Sequence, residues 1–333
     1  MLAMIHNETS LLTGANLRKQ FKLTTTTSKG GVLTALDDVS LALAKGETLG
    51  IAGESGCGKS TLGKILAGLM KPDRGDVLYQ DSPLSSLSPD GYRQFRRTTQ
   101  MIFQDPYSSL NPRMRIADII AEPLIISGID GTEARSKVTA MMETVGMNPE
   151  QAQRFPDEFS GGQRQRIGIA RALAATPTIL IADEPVSSLD ISIQAQIINL
   201  LQEMKGSFNL SLIIISHNLS VLRHMCDRVN IMYLGIIVEQ ASAGDLFNQC
   251  LHPYTEALIA AIPKIAVGAH PAKVILNDDL PSPLCIPGGC RFHPRCRYAA
   301  EICRKEVPAL MEIDPGHTSA CHFAGTIFPR TVK

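Results

Sequence analysis

Three short apolar runs punctuate a chain that is otherwise mixed: Thr48 to Ala52, Thr178 to Ala182 and Leu210 to Ile215. Their apolar side chains follow one another without alternation, the pattern of parallel strands covered on both faces. Each run ends where small or polar residues begin. The first leads through a glycine-rich turn into a helical pattern, Lys59 to Leu69, that stops near Pro72. Further helices are predicted from about Gln163 to Ala175 and from Ile191 to Lys205. Strands alternating with helices imply an α/β fold, an open and mostly parallel sheet with ligands at the carboxyl ends of its strands. Between Pro106 and Phe159 the pattern is helical and loop-like, so an inserted helical subdomain is expected there. After about Leu251 the chain becomes rich in Pro and Cys, with one predicted helix, Tyr254 to Ala261.

Composition narrows the function classes. At 333 residues the chain exceeds what one ordinary core needs, which suggests a large domain with an appendage, or two domains. Its 32 basic and 32 acidic residues cancel, so no global field draws it to nucleic acid or anionic lipid. No apolar run reaches the roughly 18 residues that cross a bilayer. The first dozen residues lack the basic start of a secretory signal. In that setting the eight cysteines read as thiols or metal ligands rather than disulfides.

The glycine-rich turn carries specific chemistry. Gly53-Glu54-Ser55-Gly56-Cys57-Gly58-Lys59-Ser60-Thr61 fits G-x-x-x-x-G-K-[ST] between a predicted strand and a predicted helix. Glycines let successive N–H groups turn inward toward phosphate oxygens, and the helix N-terminus adds partial positive charge. Lys59 would neutralise β- and γ-phosphates, and the Ser60 hydroxyl would coordinate Mg²⁺. A second strand ends in Asp183-Glu184. Asp183 is placed to bind Mg²⁺, directly or through water, and Glu184 to polarise an attacking water as general base. Phe159-Ser160-Gly161-Gly162-Gln163 opens another helix and offers a second anion site. Two such helix ends about a hundred residues apart could grip one nucleotide only from different subunits, or after a large bend.

In this order of motifs, from roughly Leu11 to Phe247, the chain resembles the ATP-binding-cassette ATPases. The resemblance is carried by the phosphate loop, Gln104 in Phe103-Gln104-Asp105-Pro106, the signature Ser160 to Gln163, Asp183-Glu184, Ser187-Ser188-Leu189-Asp190, and His217 after the last apolar strand. It implies a P-loop NTPase domain over about 11–250, with its helical subdomain near 106–170 and a Cys-rich extension over 251–333. It also implies a head-to-tail dimer in which the phosphate loop of one subunit and the signature of the other enclose ATP. Gln104 would contact Mg²⁺ and the attacking water, Asp190 would link the two sites, and His217 would hold the γ-phosphate. Two features depart from the family pattern. Phe159 stands where Leu is usual, and no aromatic lies near Gly30 to stack on adenine, Phe21 being the nearest.

Phe103 to Arg113, His252-Pro253-Tyr254-Thr255, the Leu280-Pro281-Ser282-Pro283 turn and the cysteine-rich tail look like the oligopeptide, dipeptide and nickel importer branch. Ser109 to Arg113 and Ile119 to Leu124 are closer to the second, F-type ATPase of such importers. The partners implied are a second ATPase subunit, two membrane permeases and an external solute-binding protein, with no nucleic acid. The implied location is the cytoplasmic face of the bacterial inner membrane.

Five cysteines follow Leu284, and four of them, Cys290, Cys296, Cys303 and Cys321, form C-x5-C-x6-C-x17-C. Four thiolates suit tetrahedral zinc or an iron–sulfur cluster, and no C-x2-4-C pair marks a zinc ribbon. The resemblance favours a [4Fe–4S] cluster on these four; zinc and metal-free thiols remain the alternatives. His293, His317 and His322 are possible substitute ligands or surface histidines. Arg93, Arg96 and Arg97 read as a solvated helix face, or as a contact for lipid headgroups or a permease.

Overall fold

The computed structural model describes residues 10–22, 31–187, 189–262 and 281–328; Gly30, Ser188 and Leu280 fall outside them. Its centre is the parallel sheet that the apolar runs predict. Strands β3 (Thr48–Ala52), β7 (Ile179–Asp183) and β8 (Ser211–Ser216) are buried along their whole length. Successive residues on them point to opposite sides. Leu180, Ala182, Leu212 and Ile214 join one apolar cluster, whereas Ile179, Ile181, Ile213 and Ile215 join another. Both faces are therefore dry, and no polar alternation survives in the sequence.

Two further parallel strands extend this sheet, β6 (Thr99–Ile102) beside β7 and β9 (Arg228–Tyr233) beside β3. β10 (Ile236–Ser242) then turns back antiparallel. The first cluster lies under α5 (Gly161–Ala174), α6 (Ile191–Phe208), α7 (Leu219–Met225) and α8 (Ala243–Asn248). It continues into α3 (Ile116–Ile126) and α4 (Gly131–Thr144), which form the expected strand-free helical region.

The second cluster is closed by elements that the apolar pattern does not predict. An antiparallel sheet of β1 (Ser10–Lys22), β2 (Val32–Ala44), β4 (Arg74–Tyr79) and β5 (Ser82–Pro83), in the order β2-β1-β4-β5, covers α1 (Lys59–Leu66). So the fold is not one open sheet but two. The short helix α2 (Pro89–Thr98) carries the Arg93, Arg96 and Arg97 run and anchors through buried Phe95. Arg93 pairs with Asp90, while Arg96 Nη1 donates to the Gly68 carbonyl at 3.1 Å.

The tail is not a loose appendage. After α9 (Pro253–Ala260), the segment from residue 281 supplies α10 (Glu301–Lys305) and strands β11 (Met311–Asp314) and β12 (His317–Ser319). β12 pairs antiparallel with β10, so the tail lengthens the central sheet to eight strands in the order β11-β12-β10-β9-β3-β8-β7-β6. Its anchor is Glu239, fully buried on β10, which accepts hydrogen bonds from the N–H groups of Leu251 (2.5 Å) and His252 (3.2 Å). His317 Nε2 lies 2.7 Å from the same carboxylate. This buried pairing corrects the reading of His317 as a surface residue or metal ligand. Beside it, burial pushes the His252 imidazole down to about 3, so this ring is neutral at pH 7.

Candidate functional site

The phosphate loop follows β3 and ends where α1 begins, as the strand–turn–helix pattern requires. Gly58 sits at the helix start with φ 109°, and a Cβ there would lie 2.2 Å from the Ala35 carbonyl oxygen. Lys59 is 4% exposed, and its ammonium donates to the carbonyls of Gly53 (2.7 Å) and Glu54 (2.9 Å). Cys57 is buried and serves as a small packed residue, with its thiol pushed up mainly by burial.

Ser60 begins the α1 side of the site and Asp183 ends β7; the Ser60 hydroxyl donates to Asp183 Oδ1 at 3.1 Å. Burial lifts the Asp183 carboxyl above its ordinary range, against the pull of Ser60 and of Lys64 and Lys59. A hydroxyl and a buried carboxylate beside a phosphate loop are the oxygen donors that Mg²⁺ takes, so the pair fits that ion.

The next residue turns sharply. Glu184 has φ 46°, unusual for a side-chain-bearing residue, and its N–H donates to the Ile215 carbonyl at 2.9 Å. That turn carries the carboxylate toward residues 80 and 33 positions away. Gln104 Nε2 donates to Glu184 Oε2 at 3.5 Å, and His217 Nδ1 lies 2.9 Å from the same oxygen. The structure thus brings Gln104, Asp183, Glu184 and His217 together with Lys59 and Ser60.

Ser160 caps α5: its hydroxyl accepts from the Gln163 N–H at 3.4 Å, while Gln163 Oε1 accepts from the Ser160 N–H at 3.0 Å. The atoms nearest an added Cβ at Gly161 and Gly162 belong to Leu189, Tyr107 and Ile193. Asp190 caps the adjacent α6 by accepting from the Ile193 N–H at 3.0 Å. The signature and Asp190 are therefore neighbours, and none of those nearest atoms belongs to the phosphate loop. Phe159 is buried, as an apolar substitute for Leu must be. Phe21 lies near the end of β1, paired with Leu33, with the Lys19 ammonium 5.8 Å from its ring centre.

The chain is 48% identical over 298 residues to the oligopeptide transport ATP-binding protein AppF of Bacillus subtilis (strain 168), covering 88% of this chain and 91% of that one. The chain belongs to the ABC transporter ATPases. The ABC transporter family model matches residues 36–187, and the model for the oligopeptide/dipeptide transporter C-terminal region matches residues 238–303. A second ABC relative, the di/tripeptide transport ATP-binding protein DppF of Pseudomonas aeruginosa (strain UCBPP-PA14), is 46% identical over 95% of this chain and 98% of its own length. Among solved structures, the ADP- and phosphate-bound dimer of the ATP-binding cassette MJ0796 matches with a TM-score of 0.62. It is 28% identical, over 70% of this chain and 98% of that one. These likenesses make the phosphate-loop domain of this ABC protein a P-loop ATPase fold.

All eight cysteines are free thiols, and five of them lie in the tail beyond Leu284. Cys290, Cys296, Cys303 and Cys321 line one narrow cavity of about 10 Å³ together with His252, His293 and His322. Burial raises the thiols of Cys290 and Cys321 to about 11 and also raises that of Cys296. Among the described residues no three His, Cys, Asp or Glu side chains stand in the geometry of an assembled metal site.

Two residues that touch the phosphate loop carry no functional assignment from the sequence. Arg295 grips the Glu54 carboxylate, and the Tyr254 hydroxyl accepts from the Glu54 N–H at 2.9 Å. The available signal is Glu54 itself, an acid in an anion-binding loop that calls for a counter-charge.

Proposed function

We propose that this chain hydrolyses ATP to drive uptake of short peptides through a membrane transporter. The observation that carries the reading is the joining of two parts in one body. An intact Lys59, Asp183, Glu184 and His217 site sits at the end of the same sheet to which the matched oligopeptide/dipeptide region, residues 238–303, contributes most of β10. In this reading Glu184 takes a proton from the attacking water, and His217 and Gln104 hold that carboxylate and the γ-phosphate in line. Lys59 and the loop N–H groups stabilise the charge that develops on the transferred phosphoryl group. Ser60, Asp183 and Gln104 would hold Mg²⁺, which when bound would withdraw charge from the phosphate oxygens.

None of the atoms nearest Gly161 and Gly162 belongs to the chain's own phosphate loop, which supports a dimer in which Ser160 to Gln163 close over the partner's ATP. The partner is a second, similar ATPase, and the pair sits beneath two permeases on the cytoplasmic face of the inner membrane, fed by an external binding protein. No helix among the described residues is long and apolar enough to cross a membrane. A groove of about 770 Å³ between α2 and the helical region, lined by Arg93, Arg96, Phe103, Glu122, Ile126 and Arg171, suits a permease segment. Reconstitution with the permeases and partner ATPase in vesicles is expected to give ATP-dependent uptake of di- to oligopeptides. Uptake of nickel but not peptides would overturn the substrate, and assembly with nucleic acid in place of permeases would overturn the function.

We further propose that Cys290, Cys296, Cys303 and Cys321 hold a [4Fe–4S] cluster. Four soft donors line one cavity with no carboxylate among its lining residues, a donor set whose chemistry suits such a centre once the four thiolates draw together around it. Bound, it would cross-link a tail segment rich in loops. Anaerobically purified protein is expected to carry about four irons and matching sulfide per chain with broad visible absorbance, lost on Cys303→Ser. Stoichiometric zinc, or reactive thiols without metal, would overturn it.

A further inference from the structure

We propose that Arg295, on the cysteine-bearing tail, is a positioning residue for ATP binding that neutralises Glu54 and holds it away from the bound phosphates. Glu54 is the only acidic residue between Gly53 and Thr61. A free carboxylate in that loop opposes a polyphosphate and competes with it for the Lys59 ammonium. The structure answers both problems with one side chain. Arg295 Nη1 and Nη2 donate to the two Glu54 oxygens at 2.7 and 2.9 Å, a bidentate fork from a side chain that is 4% exposed.

The arm that carries Arg295 is firmly seated. Three residues earlier, Phe292 is 2% exposed and packs against Tyr233 and Tyr254, at ring separations of 5.3 and 5.4 Å. Tyr254 in turn accepts the Glu54 N–H, so side chain and backbone of the same loop residue are both fixed from outside the loop. Arg291, at the start of the arm, donates to Asp37 and to the Leu234 carbonyl. The adjoining Gly235 N–H donates to the Cys57 carbonyl at 2.9 Å. The arm therefore meets the phosphate loop at two points, directly at Glu54 and through the β9–β10 turn at Cys57.

The inference rests on the ATP-binding reading of the loop, and a set of full-length variants tests it. Arg295→Met keeps the bulk and removes the fork; its Kd for ATP is expected to rise at least about tenfold, because an uncompensated charge then faces the phosphates. Adding Glu54→Gln to that variant removes the charge and is expected to bring Kd back to within about threefold of wild type. A merely structural arm would show no such rescue. Thermal unfolding monitors folding of each variant, and Glu54→Gln alone reports on the loop if Arg295→Met does not fold. That single variant is expected to lose less ATP affinity than the tenfold that follows loss of the Arg295 fork. ATP affinity unchanged in Arg295→Met, a loss that Glu54→Gln fails to relieve, or a tenfold loss in Glu54→Gln alone would overturn the inference. Failure of the wild-type protein to bind ATP would remove the nucleotide reading itself and the inference with it.

Discussion

Glu184→Gln is expected to lower steady-state ATP turnover by about 10³-fold while leaving ATP affinity within about threefold of wild type. The amide keeps the size and one acceptor of the carboxylate but cannot take a proton. Nothing else at the site can replace that function from the same place. The turn at φ 46° and the bond to the Ile215 carbonyl fix the backbone, and His217 converges on Oε2 at 2.9 Å. Binding is expected to survive because the groups that collect phosphate, Lys59 and the loop N–H groups, belong to β3 and α1 and do not depend on the Glu184 side chain. Phosphate release by the complex assembled with its partner ATPase and permeases measures the first quantity, and nucleotide titration the second. Turnover close to wild type would remove Glu184 as the base.

The same geometry shows which parts of the molecule are legible in the sequence. β3, β7 and β8 are buried on both faces, and that condition writes itself as unbroken apolar runs. Motifs at the ends of those strands inherit positions from them, so Lys59, Asp183, Glu184 and His217 meet as their order implies. The antiparallel sheet is hidden for a local reason. β1 and β2 carry irregularities at Asn16 and Asp38, with φ 50° and 59°, and the pairing register shifts repeatedly between them. Each shift interrupts the period-two alternation by which a half-buried strand is recognised. β12 is hidden differently: a strand of three residues, two of them paired to β10, cannot show a period at all.

The Arg295–Glu54 pair illustrates what pattern reading leaves out. The two residues are 241 positions apart, and neither lies in a repeating pattern that points to the other. Composition marks the tail only as rich in Pro and Cys, whereas the structure shows it docked on the central sheet. Phe292 enters the main apolar cluster, and His317 meets the fully buried Glu239. A buried carboxylate needs partners, and the adjacent N–H groups of Leu251 and His252 and the His317 imidazole supply them from two places in the chain.

Gly58→Ala is expected to abolish measurable ATP binding, an effect of at least about 10²-fold, whereas Gly56→Ala should weaken it by less than about tenfold. Both glycines have positive φ, 109° and 79°, so conformational preference alone does not separate them strongly. Their surroundings do. A Cβ at Gly56 meets nothing within 4 Å, but at Gly58 it lies 2.2 Å from the Ala35 carbonyl oxygen and 3.2 Å from Leu36 Cδ2. Ala35 cannot yield cheaply. Its neighbours Leu36 and Thr34 are paired to β1, and the Asp37 N–H is bonded to the Gly235 carbonyl at 2.9 Å. Relief must therefore come from the loop, by rotating the peptide that begins α1 and displacing Lys59 and Ser60 from the phosphate position. Nucleotide titration and thermal unfolding of the two variants side by side check the ranking. Equal damage from both would mean that flexibility of the loop, rather than its close approach to β2, is what ATP binding requires.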